Sequence, residues 1–109
     1  MEVLVRGVPA STGKAYGKAK VIFSSGKGQK LEPGEILVAR MTDASMFVDI
    51  IENASAIVTD LGGLGSHPAI VARELGIPCV VATGNATEVI KDGMEIVVDG
   101  EEGMVYESD

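Results

Sequence analysis

The chain has 109 residues, 46% of them apolar, and a formal charge of −7 at neutral pH. That length supports one domain with a core of its own and excludes two catalytic domains side by side. The acidic balance, the lack of a basic stripe and the scarcity of aromatics argue against a nucleic-acid surface, and no apolar run or leader-like start points to a membrane or to secretion, so a cytoplasmic location is expected.

In chain order, Glu2 to Arg6 and Gly17 to Phe23 alternate apolar with polar residues and predict strands with one wet face. The intervening GVPASTGKAY has loop composition, and Ser24 to Gly34, closed by Pro33-Gly34, predicts an exposed turn. Ile36 to Ala39 resumes β structure. A helix is expected from a cap at Thr42 or Asp43 through Asn53, since Met46, Phe47, Ile50, Ile51 and Ala54 recur at helical spacing.

Ala56 to Thr59 predicts a short buried strand, followed by the loop Asp60 to Ser66 and a second helix that ends at Gly76, with Pro78 beyond it. Cys79 to Ala82 predicts another buried strand. Its lone cysteine has no disulfide partner and no metal-ligand spacing, so a buried thiol is expected. Asn85 or Thr87 starts a short helical turn, and Met94 to Val98 faces Met104 to Tyr106 across DGEEG as a hairpin. Helix, strand, helix, strand in the middle third predicts parallel crossover units beside antiparallel pairs.

The chemistry concentrates in LGGLGSHPAIVAREL, which holds the one histidine of the chain. Pro68 suits the first position of a helix, because its missing amide hydrogen would be unpaired there, and it pushes the residue before it out of helical conformation. His67 is thereby expected at the boundary as the cap, with Ser66 as the alternative. Unpaired amides of Ala69 and Ile70, the positive end of the helix dipole and close backbone approach at Gly62, Gly63 and Gly65 make this an anion site suited to a phosphoryl group. A neutral ring nitrogen there is a nucleophile, and the phosphorylated ring carries charge that the dipole and amides favour. Thr59, at the end of the preceding strand, and Arg73, about 240° around the helix, are candidate supports.

Other motifs fail. GVPASTGKA has five residues where a nucleotide P-loop has four and lacks the Ser or Thr for magnesium, and GGLGSHP lacks the third glycine of a dinucleotide fingerprint. Ser66 adjoins His67 in sequence with no nucleophile elbow, which argues against a catalytic triad. Asp43, Asp49 and Asp60 are read as caps or solvated carboxylates, and no metal site is expected.

TDLGGLGSHPAIVARELGIP resembles the phosphohistidine signature of the phosphoenolpyruvate-utilising enzymes, the family of phosphoenolpyruvate synthase and pyruvate phosphate dikinase. GVPASTGKAYGKAKVI, GEILVARMTDASM, ASAIVTD and ATEVIKDGMEIVVDGEEGMVY resemble the flanking segments, so the likeness covers nearly residues 1–109. It implies a three-layer β/β/α swivelling domain of the α/β class. It also implies that His67 is the phosphorylated residue, with Gly62, Gly63 and Ser66 matching the loop before it. Gly65 stands where threonine is frequent and Pro68 where a small residue is usual.

The resemblance further implies partners: an ATP-grasp nucleotide-binding domain or subunit, a barrel that binds phosphoenolpyruvate or pyruvate, or both. No cofactor is expected on this domain itself, and Mg2+ is expected at the partner's site. The chain is thus expected to be a phosphotransferase component, incomplete as an enzyme by itself, working by docking or as a piece of something longer. The alternatives are an anion-binding or regulatory module, or a structural subunit, that keeps the fold without phosphotransfer.

Overall fold

The computed structural model describes residues 1–23 and 28–108. In chain order its strands are β1 (Glu2–Arg6), β2 (Val8–Ser11), β3 (Lys14–Ile22), β4 (Ile36–Ala39), β5 (Ala56–Thr59), β6 (Cys79–Val81), β7 (Glu95–Asp99) and β8 (Met104–Glu107). Two helices, α1 (His67–Leu75) and α2 (Ala86–Val89), and two 3-10 turns, Ala44–Met46 and Ile51–Asn53, complete it.

The strands hydrogen-bond in the order β1-β8-β7-β3-β4-β5-β6-β2. β3 is the joint: Lys14 to Lys18 pair antiparallel with β7, and Ala19 to Ile22 pair parallel with β4. Its two halves therefore belong to two sheets, one antiparallel with β7, β8 and β1, the other mostly parallel with β4, β5, β6 and β2.

Side chains of β4, β5 and β6 are buried on both faces, as continuous apolar runs in a parallel sheet require. Leu37, Ala39, Ile57, Cys79 and Val81 face α1 and the 3-10 turns, where they meet Ala69, Val71, Ala72, Met46 and Ile51. Ile36, Val38, Ala56, Val58 and Val80 face the antiparallel sheet and α2, meeting Ile96, Val98, Val105, Ala86 and Ile90. The expected β/β/α layering is what these two cores describe. Each fully buried Ile, Leu or Val contributes about 1.5–3 kcal/mol.

Several local expectations are corrected. GVPASTGKAY is not a loop: it contains β2 and the start of β3. Pro9 is tolerated because β2 lies at the sheet edge, paired on one side to β6. The segment expected as an exposed turn at Ser24 to Gly34 lies outside the described residues at 24–27, and beyond them Leu31 is buried. The amide of Leu31 donates to the Asp49 carbonyl at 2.9 Å, and its own carbonyl accepts from Asn53 Nδ2.

Those bonds also explain why no helix runs to Asn53. A continuous helix needs the Asp49 carbonyl for the Asn53 amide, but Leu31 occupies it, and the Asn53 amide turns to Ile50 instead. The apolar positions Met46, Ile50 and Ile51 are still buried, on short turns, while Phe47 is 37% exposed. Ala82, expected in a strand, lies just past β6 with φ +59°. Helix α1 starts one residue earlier than expected: Ser66 is the cap, His67 the first helical residue and Pro68 the second. Gly76 closes it in the left-handed conformation, as read from the sequence.

Candidate functional site

The end of β5 delivers the chain into the loop Asp60–Ser66, and α1 carries it away. Gly62 has φ +114°, and a side chain there would bring Cβ to 2.8 Å of Ser66 Oγ, so this position requires glycine twice over. Gly63 and Gly65 differ: neither has positive φ, and a Cβ on either would meet no atom within 4 Å. The loop's own conformation thus demands one glycine of the three.

Ser66 closes the loop rather than offering donors outward. Its amide and hydroxyl both donate to the Gly63 carbonyl, at 3.1 and 2.7 Å, and its Oγ accepts the Gly63 amide. The Ile70 amide, expected to be free, donates to the Ser66 carbonyl at 3.0 Å, because a cap at Ser66 makes that carbonyl the first helical acceptor. Among the described residues, the amides of Gly62, Leu64, Gly65, His67 and Ala69 have no protein acceptor. Of the six positions expected to cradle an anion, Gly62, Gly65 and Ala69 present unpaired amides, while those of Gly63, Ser66 and Ile70 are engaged.

Both expected supports hold the loop from behind. Thr59 is fully buried, and its hydroxyl donates to the Leu61 carbonyl at 2.6 Å. Arg73 sits outside hydrogen-bond geometry with the imidazole. Its guanidinium donates to the Ala10 carbonyl at 3.0 Å and the Leu64 carbonyl at 2.7 Å, tying β2 to the loop. No ion pair joins Arg73 to Glu74 among the described residues.

His67 is half-buried, and its Nδ1 lies 2.8 Å from the hydroxyl of Thr42. Either the ring donates to the hydroxyl or the hydroxyl donates to the ring, according to tautomer; in both, Nδ1 is engaged and Nε2 has no protein partner among the described residues. Beside Thr42, Asp43 has its carboxyl held below the ordinary range, first by the Ser45 hydroxyl, then by the Ser45 amide, with the His67 imidazole acting in the same direction. Thr42 and Asp43 were legible only as caps. They lie more than twenty residues before His67, and no spacing rule connects them to it.

Cys79 lies under the first turn of α1, with Sγ donating weakly to the Pro68 carbonyl at 3.8 Å. Burial pushes its thiol up to about 12, so it is a packing residue and not a nucleophile. Asp60 is occupied by the amide and hydroxyl of Thr87. No three His, Cys, Asp or Glu side chains converge as a metal would need among the described residues.

An imidazole braced at one nitrogen, set at a helix start beside unpaired amides, has the geometry of a nucleophile placed to meet an anionic group. Residues 31–103 match the family described as PEP-utilising enzyme, mobile domain. The chain belongs to that family. The mobile domain is 57% identical over 108 residues to a probable phosphoenolpyruvate synthase of Staphylothermus marinus, covering 97% of this chain and 13% of that protein. It is also 57% identical over 106 residues to a phosphoenolpyruvate synthase of Aeropyrum pernix, covering 96% and 13%. The chain thus spans about 13% of the length of these relatives.

Among solved structures, the mobile domain is similar to Enzyme I (nEIt) in solution, with a TM-score of 0.62 and 40% identity over 72% of this chain and 32% of that one. Thermococcus kodakaraensis aconitase X in its holo-form matches with a TM-score of 0.72 at 22% identity, over 96% and 98% of the two chains, which speaks for the fold alone. No helix among the described residues is long and apolar enough to cross a membrane.

Proposed function

We propose that this mobile domain carries a phosphoryl group on His67. The observation that supports the reading most directly is the Thr42–His67 contact, which engages Nδ1 and leaves Nε2 for the reaction. With the proton on Nδ1 and donated to Thr42, Nε2 bears a lone pair and no proton. It attacks the donor phosphorus in line; the N–P bond forms as the bond from phosphorus to the donor oxygen breaks, and the leaving group keeps those electrons. The unpaired amides of Gly62, Leu64, Gly65 and Ala69, with the positive end of α1, favour the charge that arrives.

The donor is an ATP- or phosphoenolpyruvate-binding site elsewhere, of ATP-grasp or barrel type, in the same longer protein or in a separate subunit. Magnesium belongs to that site, where it supplies charge neutralisation on the transferring phosphate. A second site, taking pyruvate, phosphate or another acceptor, receives the group, and the phosphoenolpyruvate synthases among the relatives make pyruvate the first acceptor to try.

The test is intact mass, with and without acid, after incubation with Mg2+-ATP or phosphoenolpyruvate and the remainder of a relative's chain as partner. An acid-labile adduct of one phosphoryl group, absent from His67→Ala, supports the carrier. No adduct with either donor and partner overturns it in favour of a domain that binds anions without transfer.

A further inference from the structure

Ala82 has φ +59° and is the single non-glycine residue in the left-handed region among the described residues. Alanine adopts that conformation at a cost that glycine avoids, and the methyl group is exposed, so packing does not explain it. What the turn at Ala82 accomplishes is hydrogen bonding. The Ala82 amide donates to the Leu61 carbonyl at 3.4 Å, the Thr83 amide and hydroxyl both donate to the Thr59 carbonyl at 3.1 and 3.0 Å, and the Gly84 amide donates to the Asp60 carbonyl at 2.9 Å. Three consecutive residues strap three consecutive residues at the base of the loop.

Leu61 is the common point. Its carbonyl accepts from Ala82 and from the Thr59 hydroxyl, and its amide donates to the Arg40 carbonyl at 3.0 Å, two residues before Thr42. The chain runs forward from Leu61 through the loop to His67 and across from Leu61 through Arg40 to the hydroxyl that braces Nδ1. Both arms that locate the imidazole start from the strapped peptide.

We propose that Ala82 is a positioning residue: its strained turn fixes the loop base and thereby holds the His67 ring against Thr42. The proposal rests on the carrier reading of His67 for its functional meaning. A residue in a sparsely populated backbone conformation persists only where the bonds around it over-determine that conformation, and here those bonds run to the base of the loop that leads to His67. A β-branched residue tolerates the left-handed region far less than alanine, so Ala82→Val should release the strap, whereas Ala82→Gly should retain it.

His67 is the sole histidine, so a two-bond 1H–15N spectrum reads its tautomer without interference. Phosphoramidate serves as a small donor that needs no partner: its P–N bond breaks, ammonia leaves, and the new P–N bond forms to the ring. The wild-type chain should show one tautomer and react at one nitrogen. Ala82→Val should react about tenfold more slowly, with both tautomers populated, since small displacements of a reacting group cost rate on that scale. Ala82→Gly should restore the wild-type spectrum.

Wild-type rate and tautomer in folded Ala82→Val overturn the proposal. Folding is checked by continued protection of the buried Cys79 thiol; if Ala82→Val exposes it, Thr83→Val, which removes one strap bond, takes its place with the same two outcomes. A wild-type chain that gives no adduct at all counts against the carrier reading, while the tautomer comparison still decides the positioning proposal.

Discussion

Thr42 Oγ1 lies 2.8 Å from His67 Nδ1, joining the segment after β4 to the first residue of α1 across 25 positions of sequence. The hydroxyl of buried Thr42 engages Nδ1 and leaves Nε2 without a protein partner among the described residues. Thr42→Val keeps the shape and removes the oxygen. It should lower stability by about 1 kcal/mol, the usual worth of one such bond, and slow formation of the acid-labile adduct about tenfold, with Thr42→Ser close to wild type. Denaturant titration and timed intact mass check the two effects separately.

The glycines of the loop should split by mutation. Gly62→Ala places a methyl group 2.8 Å from Ser66 Oγ at φ +114° and should destabilise by about 1–3 kcal/mol. Gly63→Ala and Gly65→Ala meet open space with no positive φ and should stay within about 0.5 kcal/mol of wild type in melting experiments. If those two variants fold normally yet lose phosphorylation by the partner, the bare backbone there serves the docked complex.

Arg73 bridges the Ala10 and Leu64 carbonyls with two nitrogens of one planar group. Lysine offers a single point of donation and reaches one carbonyl at a time, so Arg73→Lys should recover only part of what Arg73→Ala loses. The expected loss for Ala is about 2 kcal/mol, measured by urea unfolding, with faster amide exchange at Gly63 and Ser66, whose amides close the loop.

Asp99 caps the β7–β8 turn. Amide donation from Glu102 chiefly, then Glu101, with Lys14 at 3.7 Å, holds its carboxyl below the ordinary range against an opposing effect of burial. A lowered folded value means the unfolded chain binds more protons as pH falls, so the contribution is fully present above about pH 4 and fades below it. Asp99→Asn should therefore cost about 1 kcal/mol at pH 7 and progressively less as pH falls below about 4, as read by denaturant midpoints at several pH values.

Cys79 is buried against Pro68, with its thiol pushed up to about 12. A thiol reagent at pH 8 should label it only on unfolding, so the labelling rate reports global opening. Rapid labelling of the native chain would show that the first turn of α1 opens locally.

Much of the fold was legible because its signals are local. Buried strands read as apolar runs at Ile36–Ala39 and Ala56–Thr59, and Gly76 marked the end of α1. Two misreadings share one cause: β2 and the turns from Ala44 to Asn53 take their form from hydrogen bonds to distant segments, β6 in one case and Leu31 in the other. Propensity carries no record of such partners. At the site, the loop, the helix start and His67 were legible. Which amides are engaged was not, because a cap shifted by one residue moves every first-turn bond with it.

The amino-acid order alone thus determined where the one imidazole stands along the chain, between a glycine-rich loop and a helix whose start admits Pro68. Tertiary structure alone decided how that imidazole is held: Thr42 against Nδ1, Arg73 and Thr59 behind the loop, and the turn at Ala82 beneath it. The physical reason is range. Backbone preference and capping act over a few residues, whereas a hydrogen bond between side chains 25 residues apart exists only after parallel strands bring β4 and β5 side by side.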